Sequence, residues 1–406
     1  MPWSPSDNSA GPRKVLVFEP DAEGHSQEWL EHLIVFAAER ADLSLAVLVP
    51  QPLFEPLKRA VPLGALGRIR ILALTPRERA RCVMKPFTMA ALARWWTMRR
   101  YLEQTGADQG FFLGLDFLAL PLAFGLGAGG KGLSGILFRP SVHYGDIGPY
   151  APSRGERLRD LRKTILYRAM LRNPALERVL SLDPFFPVHA RAHYRGGEKV
   201  AALPDPTHPR IEQRTNHVPA AFPAGRTGFL LFGYLAERKG PLVVLDALRQ
   251  LAPEIAARTA VLFAGRVDPA LGSAIEERRA ALEREQPGLW LRIDDRRLDS
   301  GELAALVRQS DVVLAPYQRF VGSSGVLLWA ALNGRPVLAQ NYGLVGRLTR
   351  EHRLGLSVDA CAPAEVAREM TRMVSDGPAR FFDPESAERF ASAQTPQRFA
   401  SLVLSV

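Results

Sequence analysis

Residues Asp311–Gly346 read DVVLAPYQRFVGSSGVLLWAALNGRPVLAQNYGLVG, and the fold is decided there. Val312–Ala315 has the composition of a strand buried on both faces. The loop after it carries Gly322-Ser323-Ser324-Gly325, which opens a helix predicted over Gly325–Leu332, and Pro336–Ala339 begins another strand. Strand, loop and helix in this order form the unit of a parallel α/β sheet. Glycines at such a helix start let the backbone approach a ligand closely. The first amides, near Gly325 and Val326, can then face a phosphate at the positive end of the helix. The same residues also suit an ordinary connection capped by Ser323 or Ser324.

Working outward, the same alternation fills most of the chain. Strands are predicted at Phe229–Phe232, Ala260–Phe263 and Trp290–Ile293, with helices at Pro241–Leu251, Leu271–Arg284, Gly301–Gln309 and Ala364–Val374. Before them, Leu203–Gly228 is polar and holds Pro204, Pro206, Pro209, Pro219 and Pro223, the composition of a linker. Upstream, predicted strands are Lys14–Phe18, Ser44–Val49, Arg70–Leu74, Phe111–Asp116, Gly135–Arg139, Val179–Leu182 and Val200–Leu203. Helices are expected at Ser26–Arg40, Phe87–Gln104, Phe117–Gly125 and Arg154–Leu171. The expected organisation is two Rossmann-like parallel-sheet domains, 1–220 and 221–383. A helical stretch, 384–406, packs back toward the first.

Composition narrows the class. Hydrophobic residues are 47% and charged residues 23% of the 406, which excludes a largely disordered chain. Cys82 and Cys361 alone make neither a disulfide framework nor a zinc cluster. Met1–Gly11 lacks the apolar centre of a signal peptide. Gly110–Gly130 is apolar, yet Asp116, Pro121 and internal glycines favour a buried strand and packed helix over a membrane span. The net charge is +10, and Lys58–Arg100 alone holds eleven Lys/Arg against Glu78. A second basic run, Arg154–Arg172, reads as a helix face. Such stripes attract anionic lipid surfaces or nucleic acid. Trp95 and Trp96 beside Arg94, Arg99 and Arg100 suit an interfacial helix, whereas Ala91, Trp95, Met98 and Leu102 at helical spacing suit a core-facing one.

Phe229–Leu251 (FLLFGYLAERKGPLVVLDALRQL) and Asp311–Gly346 together resemble the donor domain of the retaining glycosyltransferases of family 4. Gly233, Lys239 and Gly240 match that family's strand, glycine, then Lys-Gly before a helix. Pro316-Tyr317, Gly322, Ala331, Gly334 and Pro336-Val337-Leu338-Ala339 match its second element, and the resemblance covers Gly228–Asp376. It implies GT-B architecture, two Rossmann-like domains facing across a cleft. It also implies same-face transfer of a sugar from a nucleotide-diphosphate donor. This sequence departs from the family twice. Tyr234 stands where an Arg is usual, and the Glu-x7-Glu pair falls on Val321 and Trp329. Trp329 occupies the position whose carboxylate usually grips the donor ribose. Arg238 beside Lys239 is the candidate to replace the missing charge at the diphosphate, or the two form only a solvated turn.

In the first domain the resemblance makes Gly24 and His25, in the loop after Lys14–Phe18, candidates for touching donor or acceptor. It makes His143, after Gly135–Arg139, a candidate to orient the acceptor hydroxyl or share its proton. Asp116 is expected at a strand's carboxyl edge or as a helix cap. The expected activity is transfer of a hexose to a hydroxyl acceptor, a saccharide or lipid-linked intermediate of an envelope polysaccharide. No cofactor beyond the donor and no metal are expected, since no Asp-x-Asp signature occurs. The expected location is cytoplasmic, peripheral at the inner face of the membrane through 58–100. A GT-B scaffold that lost turnover with its two carboxylates is the rival. Nucleic-acid binding ranks below both, for want of a recognition or stacking motif.

Overall fold

Val15–Phe18 and Leu45–Val49 are apolar without alternation, so both faces of their strands must be covered. Helices supply that cover in the computed structural model, which describes residues 11–22, 26–146, 152–206 and 221–405. Among these residues there are two compact units. The first comprises 11–142, 153–206 and 396–405, and most of the remainder forms the second.

The first unit's strands are β1 (Arg13–Phe18), β2 (Leu43–Val49), β3 (Ile69–Ala73), β4 (Gln109–Phe112), β5 (Gly132–Leu137), β6 (Leu176–Ser181) and β7 (Val200–Ala202). They pair in parallel in the order β3-β2-β1-β4-β5-β6-β7. The helices are α1 (Ser26–Ala38), α2 (Gln51–Ala60), α3 (Pro76–Cys82), α4 (Phe87–Thr105), α5 (Ala119–Ala123), α6 (Arg154–Met170) and α7 (Phe186–His193). Alternate residues of β1 point into two cores. Leu16 and Phe18 join Trp95, Met98, Leu122, Tyr167 and Phe186 beneath α4 to α7. Val15 and Val17 join Trp29, Leu30, Leu53 and Phe399 on the other face.

The second unit's strands are β8 (Thr227–Phe232), β9 (Thr259–Ala264), β10 (Trp290–Asp294), β11 (Val312–Ala315), β12 (Val337–Gln340) and β13 (Gly355–Val358), all parallel in the order β10-β9-β8-β11-β12-β13. Its helices are α8 (Pro241–Leu248), α9 (Pro253–Ala256), α10 (Gly272–Glu285), α11 (Ser300–Gln309), α12 (Gly325–Leu332), α13 (Gly343–Glu351), α14 (Pro363–Asp376) and α15 (Pro384–Ser392). A last helix, α16 (Pro396–Leu404), returns to the first unit. There Phe399 lies 5.2 Å from the Trp29 ring, and Arg178 donates to the Leu402 carbonyl at 3.3 Å.

Several predicted elements change. The stretch 384–404, read as one helix, is two, because Pro396 has no N–H with which to continue the first. The strand expected over Phe111–Asp116 ends at Phe112, and Asp116 sits in a 3₁₀ turn, Leu115–Leu118. Helices α2, α3, α7, α9 and α13 and strand β13 went unread. Residues 207–220 of the expected linker lie outside the described residues. Among the described residues, no helix is long and apolar enough to cross a membrane.

Candidate active site

Strands β8 and β11 are neighbours, paired Val312 to Phe229 and Val313 to Leu230. Carried forward in that register, Phe232 and Ala315 end level. Gly233 and Pro316 therefore leave the sheet side by side at its carboxyl edge, where open α/β sheets bind ligands.

Gly233 takes φ 97°, a left-handed turn that glycine adopts without strain. The chain then forms a 3₁₀ turn, Glu237–Lys239, and reaches Gly240 at φ 78°. A Cβ on Gly240 would stand 2.2 Å from the Pro316 carbonyl oxygen, so the two motifs touch through backbone at a point that admits only glycine. Gln318 N–H donates to the Arg238 carbonyl at 2.8 Å and closes the joint.

The cations are held against aromatic rings. Lys239 Nζ donates to the Phe232 carbonyl at 3.1 Å and stands 5.2 Å from the Tyr317 ring centre. The Arg238 guanidinium lies over Phe320 at 5.4 Å. Tyr317 is buried, and its hydroxyl lies 2.5 Å from Ser324 Oγ. Ser324 is the N-cap of α12, accepting the Val326 N–H at 3.3 Å. One line of contacts thus runs from Lys239 through Tyr317 to the helix start.

Each sequence candidate has a definite place in this geometry. Gly233, Arg238, Lys239, Ser324 and Gly325 come together at one sheet edge. Gly322 is buried and Ser323 partly exposed in the loop leading into α12. The Val326 amide, expected to face a ligand, is instead taken by the Ser324 hydroxyl; the cap competes with the anion for it. Trp329 packs edge-on to Phe232 at 6.5 Å, offering an aromatic face where the family carries a carboxylate. Tyr234 is half exposed; partial desolvation and then Asp268 push its hydroxyl pKa upward.

In the first unit's stretch of sequence, Gly24 and His25 lie outside the described residues. His143 is buried in a 3₁₀ turn, Ser141–Asp146, its ring 4.7 Å from Tyr144. Asp116 neither ends a strand nor caps a helix. Its Oδ2 accepts the Phe138 N–H at 2.7 Å, and burial raises its pKa against that bond and the nearby Lys163 charge. Lys163, lowered chiefly by burial, donates to the Arg139 carbonyl at 2.8 Å and to Ser141 Oγ at 3.2 Å, bracing the start of the His143 turn.

One group escaped the sequence reading entirely. Glu19, directly after β1, is buried, and desolvation pushes its carboxyl pKa up to about 8, although the Asp21 N–H bond and the Arg94 charge pull it down. Its Oε1 accepts Asp21 N–H at 2.7 Å. Asp21 pairs with Arg94 at 3.1 Å, and Arg94 donates to the Cys82 carbonyl at 2.8 Å. Only its place immediately beyond an apolar strand could have flagged it.

Two Rossmann-like parallel-sheet units in one chain are the GT-B architecture, shared with the solved structures named below. Residues 226–376, nearly the whole second unit, match the family model described as glycosyl transferases group 1. That match is confined to the second unit, where Val321 and Trp329 stand at the Glu-x7-Glu positions. Solved structures agree over nearly full length. A glycosyltransferase from Rickettsia africae ESF-5 superposes with a TM-score of 0.66 at 13% identity, covering 98% of each chain. Anabaena Alr3699/HepE, solved with UDP and glucose, gives 0.62 at 15%, covering 97% of each. WaaG, a glycosyltransferase involved in lipopolysaccharide biosynthesis, gives 0.62 at 15%, covering 97% of this chain and 100% of that one. No curated protein matches in sequence.

Proposed function

We propose that this protein transfers a hexose from a nucleotide-diphosphate donor to a hydroxyl acceptor with retention of configuration and without a resident metal. The observation that carries this reading is the joint at the second sheet's edge. It sets two cations, Arg238 and Lys239, beside the capped start of α12. A departing diphosphate gains negative charge as the glycosidic bond breaks. Fixed cations then stabilise the transition state more than the ground state, which is what raises turnover. Complexes of HepE with UDP and with UDP-glucose support the donor class. In this reading Gly322 to Gly325 let the diphosphate approach, Trp329 covers the nucleoside end, and His143 orients the acceptor hydroxyl. The acceptor is a saccharide or lipid-linked envelope intermediate, and the protein works at the cytoplasmic face of the membrane.

Calorimetry with UDP, GDP and ADP tests the donor reading; at least one should bind, and Lys239→Ala should weaken it. Failure of all three to bind sinks the proposal. The scaffold reading is favoured by Val321 and Trp329 in place of the carboxylates. Tight diphosphate binding with no donor hydrolysis and no transfer would establish it instead.

A further inference from the structure

In α6 the pattern of an amphipathic helix is inverted. Tyr167 and Met170 enter the core. At about 100° per residue, Leu158, Leu161 and Ile165 fall within a stripe roughly 60° wide on the opposite side. They are 50%, 57% and 58% exposed. Arg154, Arg157, Arg162 and Arg168 lie in or beside that stripe, all exposed, and none has a carboxylate partner among the described residues.

Helix α4, on the same face of the sheet, also turns apolar side chains outward, although its Arg99 and Arg100 pair with Glu103 and Glu78. Ala91, Trp95, Met98 and Leu102 fill the core, whereas Met89, Leu92 and Trp96 are exposed and flanked by Arg99 and Arg100. Beside Trp96, a cavity of about 540 Å³ is lined by Glu78, Arg81, Thr97, Arg99 and Arg100. Of the fifteen exposed large apolar side chains among the described residues, eleven lie on the layer from Val83 to Val188 and only Tyr234 on the second unit. Scattered exposure of this kind is ordinary; concentration on one layer marks an interaction surface.

We propose that the α4–α6 layer docks on an anionic phospholipid bilayer, with Trp96, Leu161 and Ile165 entering the headgroup boundary and the flanking arginines on lipid phosphates. The charge alone would suit nucleic acid equally well. The outward apolar stripes would then be a cost with no return, since phosphate contacts need no leucine. This surface deepens the membrane part of the reading above and rests on it only for the lipid character of the acceptor.

The experiment is flotation of the full chain with vesicles of phosphatidylglycerol and phosphatidylcholine in equal parts, and with phosphatidylcholine alone, at low salt. The wild type should rise with the anionic vesicles and stay down with the neutral ones. L161S/I165S and, separately, R157Q/R162Q should each weaken partitioning about fivefold or more. Both should keep wild-type circular dichroism and melting temperature, because the substituted side chains face solvent. Failure of the wild type to float overturns the inference, and so does unchanged flotation of the serine variant. Retention on duplex DNA that the glutamine variant loses and the serine variant keeps assigns the face to nucleic acid instead. UDP binding, measured on the same samples, separates the two proposals: lost flotation with UDP still bound removes only the lipid surface.

Discussion

The carboxyl edges of the two sheets carry opposite chemistry on one architecture. At the second, Arg238 and Lys239 stand on aromatic rings, and the backbone of β8's turn touches that of β11's through Gly240. At the first, the groups following β1 and β4 are the carboxyls of Glu19, which is buried, and Asp116, which is half-buried, and desolvation raises the pKa of each. A cationic edge suits a substrate part that becomes more negative during reaction.

The comparison breaks most directly at the joint. Gly240→Val would place side-chain carbon against the Pro316 carbonyl in a left-handed backbone, so we expect about 3 kcal/mol or more of lost stability. A denaturant midpoint unchanged from wild type would show that the two turns are not locked together. Lys239→Ala leaves the fold intact but should lower kcat by about 100-fold or more, the scale of removing one transition-state donor. Lys239→Arg should recover part of that loss, and equal rates for all three proteins would take the cation out of the chemistry.

Glu19 sharpens the other side. Its folded pKa, about 8, exceeds the ordinary value of 4.5, so the folded state holds a proton that the unfolded chain releases. Stability contributed by that proton is full below pH 4.5, falls as pH rises through the interval to 8, and is gone above it. The loss should amount to a few kcal/mol, on the order of 1.4 kcal/mol for each pH unit of displacement. Glu19→Gln should flatten thermal stability across that interval; an unchanged pH slope would show that this carboxyl is ionised in the fold. The smallest effect expected is from Ser324→Ala, which frees the Val326 amide and costs about 1 kcal/mol of helix capping. Removing the competitor for that amide should tighten diphosphate binding slightly, and weaker binding would mean that the hydroxyl itself contacts the ligand.

The second unit was the more legible in sequence because the backbone requirements of its turns are local. Gly233 and Gly240 are required by backbone geometry within a few residues of their strands, and such requirements leave a trace in residue type. The Ser324 cap was legible too, though its claim on Val326 was not, because a cap and an anion site use the same amides. The buried state of Glu19 left no trace. It depends on Arg94, more than seventy positions away, and on the packing of α3 and α4. Trp95 and Trp96 show the same limit: adjacent in sequence, one fills the core and the other faces solvent, and only the helix's docking decides which.

Helix α16 carries a consequence for biosynthesis. Phe399, Ala400, Val403 and Leu404 belong to the same apolar cluster as Val15, Val17 and Trp29. A ribosome therefore releases every strand of the first sheet long before that cluster can close. The second unit, interposed between α7 and α16, is made in the meantime. Early-emerging Trp29 can stack on Phe138, 5.5 Å away, but its contact with Phe399 waits for residues produced about 370 positions later.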